Sequence, residues 1–174
     1  MSFNPIPPKI GGRTFKTLMS VTLIAMIYSI IDRNACFACI GAVFGLGSTM
    51  KGGIMSGGNR FIGTFAGGMV ALPFYWLYHH TSINFPEWAY LPIGIFLLIY
   101  LSQVLNIQGG IQPGAVIFFV TIYTVAESTY ISYVIARIID TGIGVLVSLV
   151  INHIWPSPLE AKPQQEAIPA ESAK

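Results

Sequence analysis

The side chains best placed to do chemistry in this sequence are two arginines set among apolar residues. One lies in Gly57-Gly58-Asn59-Arg60-Phe61-Ile62-Gly63-Thr64-Phe65-Ala66-Gly67-Gly68, the other in Arg137-Ile138-Ile139-Asp140-Thr141-Gly142-Ile143-Gly144. Arg60 answers to Arg137, Gly63 to Asp140, Thr64 to Thr141 and Gly67 to Gly144, each 77 residues on. The match extends to Val70 with Val147 and Leu72 with Leu149. On a helix each set shares one face. An arginine in a membrane span costs roughly 2.5–3.5 kcal/mol on insertion scales, so it must face water, a partner or an anion. Guanidinium pairs bidentately with carboxylate and stays charged, which suits capture of an organic anion. A helix beginning near Arg60 would add partial positive charge there. Arg60 and Arg137 are therefore the expected anion-binding groups. Thr64, Thr141 and Asn59 would orient the ligand, and Asp140 would tune Arg137. A purely structural account has Arg60 snorkelling to headgroups and Arg137 paired with Asp140. That pairing cannot cover both arginines, because Gly63 stands where Asp140 would be needed.

The elements that must hold these groups are apolar helices. Hydrophobic residues make up 53% of the chain and charged residues 9%, against about 25% charged in ordinary globular chains. Apolar runs approach the roughly 20 residues a span needs, and the alternation of a transmembrane β-barrel is absent. A net charge of +2 without a basic cluster excludes a nucleic-acid groove. There is no Ser-His-Asp set, no metal-ligand cluster and no phosphate-binding loop, so neither enzyme chemistry nor a cofactor is expected. Cys36 and Cys39 lack a second ligand pair and read as buried small hydrophobes.

In chain order, a basic Pro-rich segment (1–16) precedes a first helix over Thr17–Ile31. A signal peptide is disfavoured there, since no small-residue cleavage site follows. Asp32-Arg33-Asn34 forms a polar turn. A second helix runs from Ala35 to about Met50, and Lys51–Asn59 reads as a glycine-rich connection. The third helix covers about Arg60–Tyr78 and ends in an aromatic belt. A polar loop, His79–Pro86, follows, its two histidines read as interfacial. Helix four is expected over about Trp88–Leu105 and helix five over about Gly114–Ala126, with Pro113 suited to a first helical turn. Helix six spans Tyr130 to about Trp155, and residues 156–174 read as a disordered cytoplasmic tail.

Three helices separate the two motif copies, which reverses the second. The expected fold is thus an all-α integral membrane module, residues 17–155, with six transmembrane helices as a 3+3 inverted-topology repeat. Such repeats hold substrate at their interface near the midplane. Positive residues (Lys9, Arg13, Lys16, Lys51, Arg60, Lys162, Lys174) put both termini in the cytoplasm.

Asn59-Arg60-x-x-Gly63-Thr64-x-x-Gly67-Gly68 and Arg137-x-x-Asp140-Thr141-x-Ile143-Gly144, with Asn152, resemble the membrane module of the aromatic acid exporter family. That family sits in the fusaric-acid-resistance-like superfamily, with plant aluminium-activated malate channels as distant relatives. The resemblance covers about Arg13–Trp155. It implies a bacterial inner-membrane module, surrounded by lipid and assembled as a homo-oligomer, that moves aromatic or other organic carboxylates. Many relatives carry a sizeable cytoplasmic domain after helix six, and none is expected in residues 156–174 here. If transport is proton-coupled, Asp140, Glu127 and Asp32 are the available carboxylates. The rival expectations are a passive anion channel through a homo-oligomer and a non-transporting membrane scaffold.

Overall fold

The computed structural model describes residues 11–47, 49–80 and 86–155. The expectations for the segment up to residue 10, most of the His79–Pro86 loop and the tail 156–174 lie outside the described residues. Among the described residues there are six α-helices: α1 (Gly12–Ile30), α2 (Cys36–Gly45), α3 (Met50–His80), α4 (Glu87–Val104), α5 (Ile111–Thr124) and α6 (Tyr130–Ile154). A short 3-10 turn, Gln108–Gly110, leads into α5. Two helices, α3 with 31 residues and α6 with 25, are long and apolar enough to cross a membrane. The 10 residues of α2 reach only about 15 Å at 1.5 Å per residue.

Three boundaries correct the sequence expectations. The first helix begins at Gly12 instead of Thr17, inside the segment expected to precede it. The second helix stops at Gly45 instead of near Met50, and the third starts at Met50 instead of near Arg60. Lys51–Asn59 is therefore about two and a half turns of helix and not a connection. Two of its four glycines sit at close contacts: a Cβ on Gly53 would lie 2.5 Å from the Gly45 carbonyl, and one on Gly57 would lie 2.7 Å from a Val145 methyl. A helical glycine costs about 1 kcal/mol relative to alanine. Close backbone approach offsets that cost, and an apolar surrounding forces the backbone to bond internally. Arg60 thus lies well inside α3, so the expected partial charge of a helix start does not reach it.

The helices pack in two groups. One hydrophobic cluster joins α1 and α2 through Ile24, Tyr28, Ala38 and Ala42, with Val147 of α6 against it. The other joins α3, α4 and α5 through Ala66, Val70, Ala71, Tyr90, Leu98, Phe118 and Ile122. Gly41 of α2 meets Thr141 and Gly144 of α6, while Gly114 of α5 meets Gly63 and Gly67 of α3. The groups meet where α3 crosses α6 antiparallel: Gly57 faces Val145, Gly142 faces Phe61 and Gly68 faces Val134. Tyr75 stacks on Tyr130 with centroids 4.4 Å apart at one end of this crossing.

Burial follows the sequence offset. The buried residues of α6 are Val134, Asp140, Thr141, Gly144, Val145, Ser148 and Asn152. Their counterparts 77 positions earlier, Gly57, Gly63, Thr64, Gly67, Gly68, Ala71 and Tyr75, are all buried in α3. In α1 the buried residues are Lys16, Ser20, Ile24 and Tyr28. In α4 they include Tyr90, Gly94, Leu98 and Ser102 at the same spacing.

Candidate anion site and its buried counterpart

Arg60 and Asn59 line a cavity of about 570 Å³ between α2, α3 and α5. One turn apart on α3, Gly52, Ser56 and Arg60 share the face that forms one wall. Phe44 closes the α2 side and Gln112 the α5 side. The Arg60 guanidinium carbon sits 4.5 Å from the centre of the Phe44 ring. Its Nε is buried without a hydrogen-bond partner. Among the described residues no carboxylate lies within ion-pair distance of Arg60. A cation facing a mostly apolar hollow is a site for an anion with an apolar body.

Arg137 is placed differently. It is 13% exposed and its terminal nitrogen lies 3.7 Å from Oδ2 of the fully buried Asp140. Two aromatic rings cover the guanidinium, Phe37 at 3.9 Å and Tyr133 at 4.9 Å. Tyr133, Arg137 and Asp140 fall on one face of α6 by helical spacing. Asp140 also accepts a hydrogen bond from the Tyr28 hydroxyl at 2.9 Å. A second cation, Arg33, reaches Asp140 Oδ1 at 3.2 Å and is 41% exposed. The turn after α1 delivers it: Asp32 takes φ 50, and the Arg33 amide donates to the Tyr28 carbonyl at 3.0 Å. Two guanidiniums and a phenol thus converge on one carboxylate.

The six residues expected at the site therefore divide. Asn59 and Arg60 share the cavity, and Arg137 and Asp140 share the buried cluster. Thr64 and Thr141 are buried and line neither the cavity nor its mouth. The Thr141 carbonyl meets Gly41 of α2 and its hydroxyl has no hydrogen-bond partner. Of the other carboxylates, Asp32 is exposed in its turn. Glu127 is exposed and lies 3.6 Å from His80. Cys36 is exposed, which corrects the expectation that both cysteines are buried, and both thiols are free. The start of α2 is the reason: Cys36 precedes the stretch that packs on α6, and Asn34 Oδ1 accepts its amide at 2.9 Å. His79 bonds the Tyr75 carbonyl one turn back, at 3.1 Å. No group of three or more His, Cys, Asp or Glu is placed to hold a metal among the described residues.

Sequence reasoning missed Arg33, Tyr28, Phe37 and Phe44, which contact the two arginines or Asp140 only through tertiary packing. Tyr133 and Ser56, each one turn before an arginine, were within reach of the helical spacing.

Residues 8–155 match the family model described as aromatic acid exporter family member 1. A UPF0421 protein of Bacillus cereus is 24% identical over 148 residues, covering 84% of this chain and 40% of the relative. Another, from Bacillus thuringiensis, is 24% identical over 143 residues, covering 82% of this chain and 38% of the relative. The chain thus spans about two fifths of the length of these relatives. No solved structure matches.

Proposed function

This chain belongs to the aromatic acid exporter family, and we propose that it forms the membrane module of an exporter of organic, chiefly aromatic, carboxylate anions. Family membership and two helices of spanning length point to a membrane protein. Six passes with the two halves inverted are part of the proposal. The shared burial pattern of α3 and α6 and the antiparallel crossing support it. In this reading α2 completes its pass with the non-helical stretches on either side. The positive residues put both termini in the cytoplasm of a bacterial cell, and identical chains assemble as a homo-oligomer in the inner membrane.

One observation carries the reading: Arg60 is a cation facing a cavity without a protein carboxylate, whereas Arg137 already holds Asp140. The substrate carboxylate would take both terminal nitrogens of Arg60, with the Asn59 amide as a further donor. Arg137 and Asp140, with Arg33 on the same carboxylate, form a counter-site, which substrate could contest only if Asp140 let go. Thr141 lies where α2 packs on α6, its carbonyl against Gly41, and Thr64 is its buried counterpart in α3. Asp140 is the buried one of the three carboxylates considered for proton coupling, and is the one proposed to link charge movement to substrate.

The test is efflux of radiolabelled benzoate from proteoliposomes. A charge-assisted hydrogen bond contributes about 1.5–3 kcal/mol, so Arg60→Gln should slow efflux roughly 10- to 100-fold. Unchanged efflux from a well-folded variant refutes the anion role. Unitary currents in a planar bilayer would convert the carrier into a channel.

A further inference from the structure

The two arginines differ in what stands one helical turn before them. Tyr133 precedes Arg137 by four residues and lays its ring over the guanidinium, 4.9 Å from ring centre to carbon. The Phe37 ring also lies over it, at 3.9 Å. Among the described residues Arg60 has one ring over it, Phe44 at 4.5 Å. The residue four positions before Arg60 is Ser56, which lines the cavity. Ser56 and Tyr133 are also separated by the same 77 residues as the arginines. Where one half of the molecule fills the space over its guanidinium with its own aromatic ring, the other half leaves that space open.

We infer that Ser56 opens a ring subsite over Arg60, and that the planar π-face of the substrate takes there the place Tyr133 takes over Arg137. The inference rests on Arg60 being the anion site. The structure supplies the physical reason. A guanidinium attracts the face of an aromatic ring electrostatically, and more so out of water. The Arg137 cluster shows the arrangement this backbone builds when it provides ring and carboxylate itself, from Tyr133 and Asp140. The carboxylate need not copy Asp140 in position, because the residue at that offset, Gly63, packs on the Gly110 backbone. Asn59 and the outer edge of Arg60 remain for it. Ser56 is then a residue that sets specificity through the room it leaves, selecting planar over puckered rings of equal size.

The experiment is equilibrium binding of radiolabelled benzoate to the full chain in detergent, displaced by unlabelled benzoate or cyclohexanecarboxylate. Benzoate should bind about 2- to 30-fold tighter than cyclohexanecarboxylate, the range expected of a cation–π contact. Ser56→Tyr should weaken benzoate binding tenfold or more. Equal affinity for the two acids, or benzoate binding untouched by Ser56→Tyr while Arg60→Gln abolishes it, overturns the ring subsite and leaves Arg60 standing. Benzoate binding insensitive to Arg60→Gln overturns the anion site itself. If Ser56→Tyr does not fold, the comparison of the two acids on the unmodified protein decides alone.

Discussion

Replacing Asp140 with asparagine removes one negative charge from the centre of the protein and little else. Asparagine keeps an oxygen to accept the Tyr28 hydroxyl, now at 2.9 Å from Oδ1. Two cations lose their partner: Arg33 at 3.2 Å and Arg137 at 3.7 Å. At an effective dielectric of about 20, the gross attractions are about 5 and about 4.5 kcal/mol. Neither is a net stabilisation. Burying the carboxylate costs several kcal/mol, and solvent screens Arg33, which is 41% exposed. Breaking a buried ion pair by removing one partner typically costs about 3–5 kcal/mol, because the remaining charge is left uncompensated. For a chain of this size that corresponds to a fall of roughly 10 °C in apparent melting temperature. Thermal unfolding in detergent, followed by loss of the monodisperse size-exclusion peak, measures it. Asp140→Asn combined with Arg137→Gln should recover at least half of the loss. A single mutant that melts within 1 °C of wild type (about a tenth of the expected fall), or a double mutant no better than the single, refutes the charge-balance argument.

Three further outcomes follow from the same geometry. Tyr28→Phe removes a hydrogen bond to a buried carboxylate and should cost about 1.5–3 kcal/mol in the same unfolding assay. Gly144→Ala would set a Cβ 2.8 Å from the Ala38 carbonyl carbon and 2.9 Å from the Ala42 nitrogen, both backbone. It should cost about 1–3 kcal/mol or more, as overpacking does. Gly58→Ala meets nothing within 4 Å and should stabilise α3 by up to about 1 kcal/mol. Equal melting of the two glycine variants would show that the α2–α6 contact is looser than described.

Much of the architecture was legible because apolar runs, prolines and the repeated arginine motif leave local marks. The start of α3 was not. Glycine density between Gly52 and Gly58 reads as a flexible linker by the rules for water-exposed chain. In an apolar setting the same residues are helix that must pass close to Gly45 and Val145. The 77-residue offset carried the correction: Gly57 answers to Val134, which lies unmistakably within the sixth apolar run. The pairing of Arg137 with Asp140 could be read from their spacing of three. Arg33 could not, because 107 residues separate it from Asp140 and only the fold brings them together. The open side of Arg60 was legible only as a small residue one turn before it. Its meaning came from the ring that covers Arg137.

The packing groups do not coincide with the sequence halves. α1 and α2 come from the first half yet lie against α6, to which α1 is pinned by Lys16 on Asn152 at 3.0 Å and Tyr28 on Asp140 at 2.9 Å. α3 in turn lies with α4 and α5. A hinge motion that respects these contacts would therefore move a trio of helices drawn from both halves of the gene product. The link at residues 125–129 would bend with it, because there the chain passes from one trio to the other. The hollow beside Arg60, walled by α2 on one side and by α3 and α5 on the other, lies on that seam, where a small swing would widen or shut it.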